Sequence, residues 1–193
     1  MKRLLAAVIA GAVLSAAAAP AFAAEVAYKL DPSHTETTFT IDRFGFTSII
    51  GIFAKSEGTI WLDEAAPEKS RVEATVEVGS LQAGHPGREE HLTGERWLNA
   101  AKNPTMTFKS TKVEKTGADT AKVTGDMTIM GVTLPATLDV KLNKIGTAPN
   151  SPKKQAGFTI TGAISRKAFG SANAAGVIGD SVSIRIEALA IAE

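Results

Sequence analysis

The sequence predicts an all-β fold: an antiparallel barrel of about eight strands with one short helix and an elongated apolar cavity. Three observations lead there. Polar and apolar residues alternate with period two along most of the chain, which is the signature of half-buried strands. Turn-forming residues separate these runs at hairpin spacing. The runs number about eight, the range in which an antiparallel sheet closes on itself.

Taken in order, residues 1–23 stand apart. Lys2 and Arg3 precede an apolar run over residues 4–19, Pro20 breaks it, and Ala21-Phe22-Ala23 has the A-x-A form of a cleavage site. This is the pattern of a secretory signal peptide, and the run is short for a membrane anchor. Cleavage after Ala23 would leave residues 24–193 as one barrel domain, exported to the periplasm or secreted.

Among the strands, Thr37, Phe39 and Ile41 share a face. The 47–63 stretch is less regular and reads as one or two strands, with Ile50, Ile52, Ile60 and Leu62 inward. Residues 71–78 alternate at every step, which puts Val72, Ala74 and Val76 inside. Met106, Phe108 and Ser110 follow, then Ala121, Val123, Gly125, Met127 and Ile129. Gly131 marks a tight turn, after which Leu134, Ala136, Leu138, Val140 and Leu142 face one way. Residues 143–157, with Pro149, Asn150 and Pro152, read as a long exposed loop. The last two runs carry Phe158, Ile160, Gly162 and Ile164, then Val182, Ile184, Ile186 and Ala188. Residues 86–98 are polar and helix-compatible, with Pro86 suited to a first turn. Residues 171–180 are small and Gly-containing and read as a mobile loop that gates the mouth.

Composition excludes several functions. The 193 residues hold 21 Lys and Arg, 20 Asp and Glu, and no Cys. A balanced charge argues against a nucleic-acid partner. The absence of Cys rules out disulfides, lipid attachment through a lipobox, thiolate metal sites and a Cys nucleophile. No Gly-x-Ser-x-Gly elbow, phosphate loop or dinucleotide fingerprint occurs. His85, Glu89, Glu90 and His91 do not match H-E-x-x-H zinc spacing, so no metal site is expected. The inward residues are mostly small or medium, which suits a barrel holding one small ligand. A packed barrel, with large residues filling the space beside small ones, remains open on the same residues.

Ordered motifs narrow the choice. Tyr28-Lys29-Leu30-Asp31-Pro32-Ser33-His34-Thr35 opens the series, followed by Phe44-Gly45-Phe46 and Gly51-Ile52-Phe53. Next come Arg88-Glu89-Glu90-His91-Leu92 and Pro104-Thr105-Met106-Thr107-Phe108-Lys109-Ser110. Gly125-Asp126-Met127-Thr128-Ile129, Gly131-Val132-Thr133-Leu134-Pro135 and Ser165-Arg166-Lys167-Ala168-Phe169-Gly170 complete it. In order and spacing the chain resembles the YceI-like family of exported lipid-binding proteins. Met130 and Leu134 depart from it, standing where the family often has His and Lys, and read as surface variations on a turn.

The resemblance implies a lipocalin-like barrel with a hydrophobic tunnel for a polyisoprenoid, an isoprenoid quinone or another long-chain lipid. It implies a periplasmic or secreted location; the residues themselves give no reason to expect a cofactor or catalysis, and transient membrane contact is open to such a carrier. Pairing of two copies is open to such a barrel, though no segment marks it. The expected lining is Phe39, Ile41, Ile52, Val72, Ala74, Val76, Met106, Phe108, Met127, Ile129, Ala136, Leu138, Phe158, Ile160, Gly162, Ile164, Phe169, Val182 and Ile184. Arg166, His91 and His34 are the candidates for a polar headgroup. For Arg166 the favoured alternative is closure of the barrel end by bonds to carbonyls and packing on an aromatic ring. Trp97 is expected to plug the helix against the barrel, and Trp61 to sit outside or at the rim. Two other functions compete with a carrier: an interaction module with a packed core, and an enzyme acting on the lipid.

Overall fold

The computed structural model describes residues 25–193, so the signal-peptide reading of residues 1–23 lies outside the described residues. Ten strands form one antiparallel sheet: β1 (Val26–Arg43), β2 (Thr47–Phe53), β3 (Ser56–Leu62), β4 (Arg71–Glu77), β5 (Leu81–Gln82), β6 (Thr105–Lys115), β7 (Thr120–Ile129), β8 (Val132–Ala148), β9 (Ser151–Ser165) and β10 (Ile178–Ala192). One helix, α1 (Pro86–Thr93), joins β5 to β6. Strands β2 and β3 are two halves of one bent stave against β1, and β4 runs on through a single helical turn into β5. The sheet therefore closes as an eight-stranded barrel when β1 pairs with β10 from Tyr28–Ala192 to Arg43–Ile178.

Local sequence explains where the regular ladder bends. The β1–β10 register shifts between Leu30 and Thr35, where Pro32 lacks an N–H for the ladder. This shift changes which parity faces inward, so Leu30 and Thr37 both point to the core side. A second change falls at Ala54 and Lys55. Lys55 N–H donates to Ser80 Oγ at 3.1 Å and the Lys55 carbonyl accepts from Glu77 N–H at 3.0 Å. Before this bend Gly51 and Phe53 lie opposite Phe39 and Thr37 on the inner face. Ile52 and Ile50 consequently face outward, and Ile50 is 60% exposed. The inward expectation for both was wrong, because it carried one parity through a bend. Ile60 and Leu62, beyond the bend, do face inward.

The long loop expected over residues 143–157 is also absent. Strands β8 and β9 continue through it, pairing Lys144 with Gly157 and Ile145 with Ala156, and only Pro149-Asn150 turns. The exposed Lys153 and Lys154 made the segment look like a loop, but Ile145 and the fully buried Ala156 pack against Tyr28 and Phe158. The turn at Met130-Gly131 is tight as expected, with positive φ at both residues (53° and 76°). Leu134 is not a surface variation: it pairs with Met127 and packs into the inner cluster around Phe169. On the outer face, Thr124–Thr137 and Thr128–Thr133 hydroxyl pairs at 2.9 and 2.8 Å tie β7 to β8.

Topology gives the barrel two different ends. The β1–β2, β7–β8 and β9–β10 turns and α1 gather at one end. The β3–β4, β6–β7 and β8–β9 turns and both described termini gather at the other.

Candidate functional site: an apolar cavity open at one end

The end carrying α1 is closed. His85 caps α1, its Nδ1 accepting from Gly87 N–H at 3.2 Å. Arg88 and Glu89 clamp the chain at Ala83 through its carbonyl (2.7 Å) and its N–H (2.8 Å). Leu92 and Leu98 then pack on Phe53, Leu81 and Ala83. Trp97 Nε1 donates to His91 Nε2 at 2.7 Å, and the two rings lie 5.5 Å apart. Arg166, 6% exposed, completes the closure. It donates to the carbonyls of Gly179 (2.8 Å), Asn173 (2.8 Å), Ile178 (3.1 Å) and Ser171, and its guanidinium lies 5.6 Å from the Trp97 ring centre.

The headgroup candidates therefore do not meet. Arg166 is held at the closed barrel end by its bonds to carbonyls. His91 is exposed and bonded to Trp97. His34 sits on the outer surface at the Pro32 bulge, its Nδ1 2.8 Å from Asp31 Oδ2. The hydrogen bond from the Ser33 hydroxyl, then the one from His34, hold the Asp31 carboxyl below its ordinary range. The 171–180 loop lies at this closed end, bonded to Arg166, and does not line the cavity, so it cannot gate the mouth.

The other half of the barrel is hollow. A cavity of about 430 Å³ runs inward from the opposite end, within the usual size of a small-ligand site. Its rim is formed by Glu64, Pro67, Ser70 and Arg71 from the β3–β4 connection and by Lys115, Ala118, Asp119 and Thr120 from the β6–β7 hairpin. Below the rim the wall is almost wholly apolar. Of the residues expected there, Val72, Ala74, Val76, Met106, Phe108, Met127, Ile129, Leu138, Phe158, Ile160 and Ile184 line it. Phe39, Ile41, Ala136, Gly162, Ile164, Phe169 and Val182 belong to the packed closed half, and Ile52 to the outside. Ile41, Val182 and Ile164 sit side by side in one layer there.

The small inward residues divide between the halves: Ala74 and Ala188 line the hollow, whereas Gly162 and Gly51 have no free space beside them. A β-carbon at Gly162 would lie 2.6 Å from Leu138 Cδ2, and the Phe39 ring covers Gly51. Both earlier alternatives thus hold, each in its own half of the barrel. Lining residues outside the expected set include Leu30, Thr35, Thr37, Ser56, Val113, Ile145 and Ala188. Val113 follows a bulge between Ser110 and Lys112 that hides its parity. Thr37 shares the face of Phe39, as its spacing predicts.

The rim is braced. Asp63 Oδ1 accepts from Ala65 and Ala66 N–H at 3.0 and 2.9 Å, and Ser70 Oγ accepts from Asp63 N–H at 3.0 Å. Arg71 stacks on the outward Trp61, 3.5 Å from its ring centre, and pairs with Glu25 at 3.0 Å. Burial, and the Glu64 carboxylate near its hydroxyl, hold the Tyr28 phenol above its usual range. Glu64 also binds Lys154, whose ammonium it keeps charged to higher pH.

A closed eight-stranded barrel with this motif order matches one family model, described as a YceI-like domain, over residues 28–190. The chain belongs to the YceI-like family. Protein YceI of Salmonella arizonae is 38% identical over 144 residues, 74% of each chain. Among solved structures, this YceI-like barrel is similar to Burkholderia cenocepacia BcnA (TM-score 0.75, 21% identity, 83% of this chain and 98% of the other). It is also similar to the Campylobacter jejuni YCEI protein (TM-score 0.68, 27% identity, 77% and 87%). A polyisoprenoid binding domain from Saccharophagus degradans, implicated in plant cell wall breakdown, shares the fold at 15% identity (TM-score 0.61, 88% and 100%).

Proposed function

We propose that this YceI-like protein is an exported carrier that binds a polyisoprenoid, an isoprenoid quinone or another long-chain lipid in its barrel. The observation that carries the reading is the one-ended apolar cavity: its walls are aliphatic and aromatic, and its charged groups are confined to the rim. Each methylene moved from water into such a wall contributes about 0.8 kcal/mol, so a long chain needs few polar contacts to bind. Family membership and the polyisoprenoid-binding neighbour support the same reading. Binding rather than catalysis is favoured because Arg166, His91 and His34 lie apart from the cavity. The export pattern at residues 1–23 supports a periplasmic or secreted location, where a carrier would meet bilayers transiently to load and unload.

The test is to purify the protein from its native compartment and examine an organic extract by mass spectrometry. A long-chain isoprenoid or related lipid is expected in the extract, and the intact mass should begin at Ala24. Finding no lipid, together with no uptake of an added quinone or isoprenoid hydrocarbon, would overturn the proposal.

A further inference from the structure

Three buried hydroxyl side chains interrupt the apolar wall of the cavity: Thr35, Thr37 and Ser56. They are 2%, 9% and 3% exposed. Thr37 lies midway along β1, and Ser56 opens β3 just after the bend, opposite Val76. Their oxygens are 3.0 Å apart. Thr35 Oγ1 donates to the Leu189 carbonyl at 3.4 Å.

The proton count of the Thr37–Ser56 pair does not close within the protein. Two hydroxyls carry two protons, and their mutual hydrogen bond uses one. Whichever oxygen accepts keeps its own O–H, and among the described residues no carbonyl or side chain takes it. Folding does not require this arrangement. Val would fill the space of Thr37 with equal strand preference, and Ala would nearly fill that of Ser56. Either would avoid placing an under-used hydroxyl in an apolar wall. The charged lining groups, Glu64, Arg71, Lys115 and Asp119, are all at the rim, so a phosphate or carboxylate would have no cation at this depth.

We propose that Thr37 and Ser56 form a hydrogen-bonding station inside the cavity that receives a neutral, carbonyl-type oxygen of the bound lipid. The assignment rests on the lipid-carrier reading and adds a selection rule to it. The ligand is not a pure hydrocarbon along its buried length: it carries an acceptor oxygen at mid-barrel depth, beyond the apolar sleeve of Leu30, Ile60, Leu62 and Val72. A quinone ring carbonyl and an ester carbonyl present the same chemistry to an O–H donor.

Competition against a fluorescent lipid probe, using delipidated protein, tests this with three ligands: squalene, a short-chain isoprenoid quinone and a long-chain fatty-acid methyl ester. The proteins are the unaltered chain, Thr37→Val, Ser56→Ala, the double variant and Thr37→Ser, each checked for its barrel by circular dichroism and melting. The double variant should lose about 3- to 10-fold in affinity for the quinone, the ester or both, the range of one neutral hydrogen bond. Squalene affinity should hold or rise, and Thr37→Ser, which keeps the hydroxyl, should retain the discrimination. Loss for the quinone alone assigns the oxygen to a quinone ring, and loss for both assigns it to carbonyls in general. Equal change for all three ligands, or none for the quinone and ester, overturns the station while leaving the carrier reading intact. Failure of the unaltered protein to bind any of the three overturns both.

Discussion

The ring of Phe108 occupies the space that a side chain at position 125 would need. A β-carbon on Gly125 would stand 2.6 Å from Phe108 Cζ and 2.5 Å from the Lys109 carbonyl oxygen. Phe108 also lines the cavity, so one glycine on β7 sets the position of an aromatic wall on β6. The missing side chain widens nothing by itself; it allows the ring to lie against the sheet instead of projecting across the cavity.

Gly125→Ala should therefore destabilise the barrel, although Gly→Ala in an open strand usually stabilises by restricting the unfolded chain. Overpacking of this kind costs about 1–3 kcal/mol. Urea melts of Gly125→Ala and of Gly125→Ala/Phe108→Leu should show partial recovery in the double variant. The ring clash is relieved there, while the contact with the Lys109 carbonyl persists. Equal stability of Gly125→Ala and the unaltered protein would show that the ring position is set elsewhere.

Period-two patterning made the strands legible, and with them the closed barrel. It failed where the backbone path reset the parity: the bend at Ala54 and Lys55 leaves Ile52 outward, and the bulge between Ser110 and Lys112 obscures Val113. The long β8–β9 hairpin was missed because Lys153, Lys154 and two prolines dominate the local composition, whereas Ile145 and Ala156 decide the packing. The cavity was the hardest feature to place. Gly125 and Gly162 suggest hollow space when each strand is read alone, but they face the Phe108 and Leu138 side chains across the ladder. Volume is a property of cross-strand pairs, and those follow only from register. The role of Arg166 was readable from its place after an apolar strand, since a buried guanidinium at a strand end needs carbonyls.

Ala74 and Gly162 separate the two halves by experiment. Ala74 lines the hollow half, where an added ring meets open space, so Ala74→Phe should lower lipid affinity at least about 10-fold with stability held within about 1 kcal/mol. Gly162→Phe meets the Leu138 side chain across the ladder and should lose about 3 kcal/mol or more, since its overpacking exceeds one methylene. Paired melting and binding measurements check this. Equal stability loss in both variants would contradict the division of the barrel into a filled and a hollow half.

Arg166 should matter for stability and not for ligand. Arg166→Met leaves the carbonyls of Ser171, Asn173, Ile178 and Gly179 without their donor. Each buried carbonyl left unpaired costs about 1–3 kcal/mol, and part of that is recovered by water. A total of about 3 kcal/mol or more is expected, lowering Tm by roughly 6–12 °C for a chain of this size. Arg166→Lys should recover only part, because an ammonium cannot reproduce the planar fork. Lipid affinity measured on the folded fraction should stay within about 2-fold, well below the loss expected for a direct contact. A selective affinity loss without destabilisation would instead place Arg166 at the ligand.

Asp180 ties the same closed end to pH. The Lys167 backbone N–H donates to Oδ1 at 3.0 Å and the Ser165 hydroxyl to Oδ2 at 2.8 Å, and these bonds hold the carboxyl below its ordinary value. A carboxyl whose value is lowered by folding contributes stability above its unfolded value of about 3.9. That contribution disappears as pH falls through the lowered folded value, because both states then carry the proton. Asp180→Asn should thus melt below the unaltered protein near about pH 7, with the gap narrowing as pH drops below the unfolded value of about 3.9. Thermal melts across that interval read the gap directly. A gap of constant size would assign the loss to geometry rather than charge, since an amide keeps the shape of the carboxylate but offers only one acceptor oxygen to the two donors.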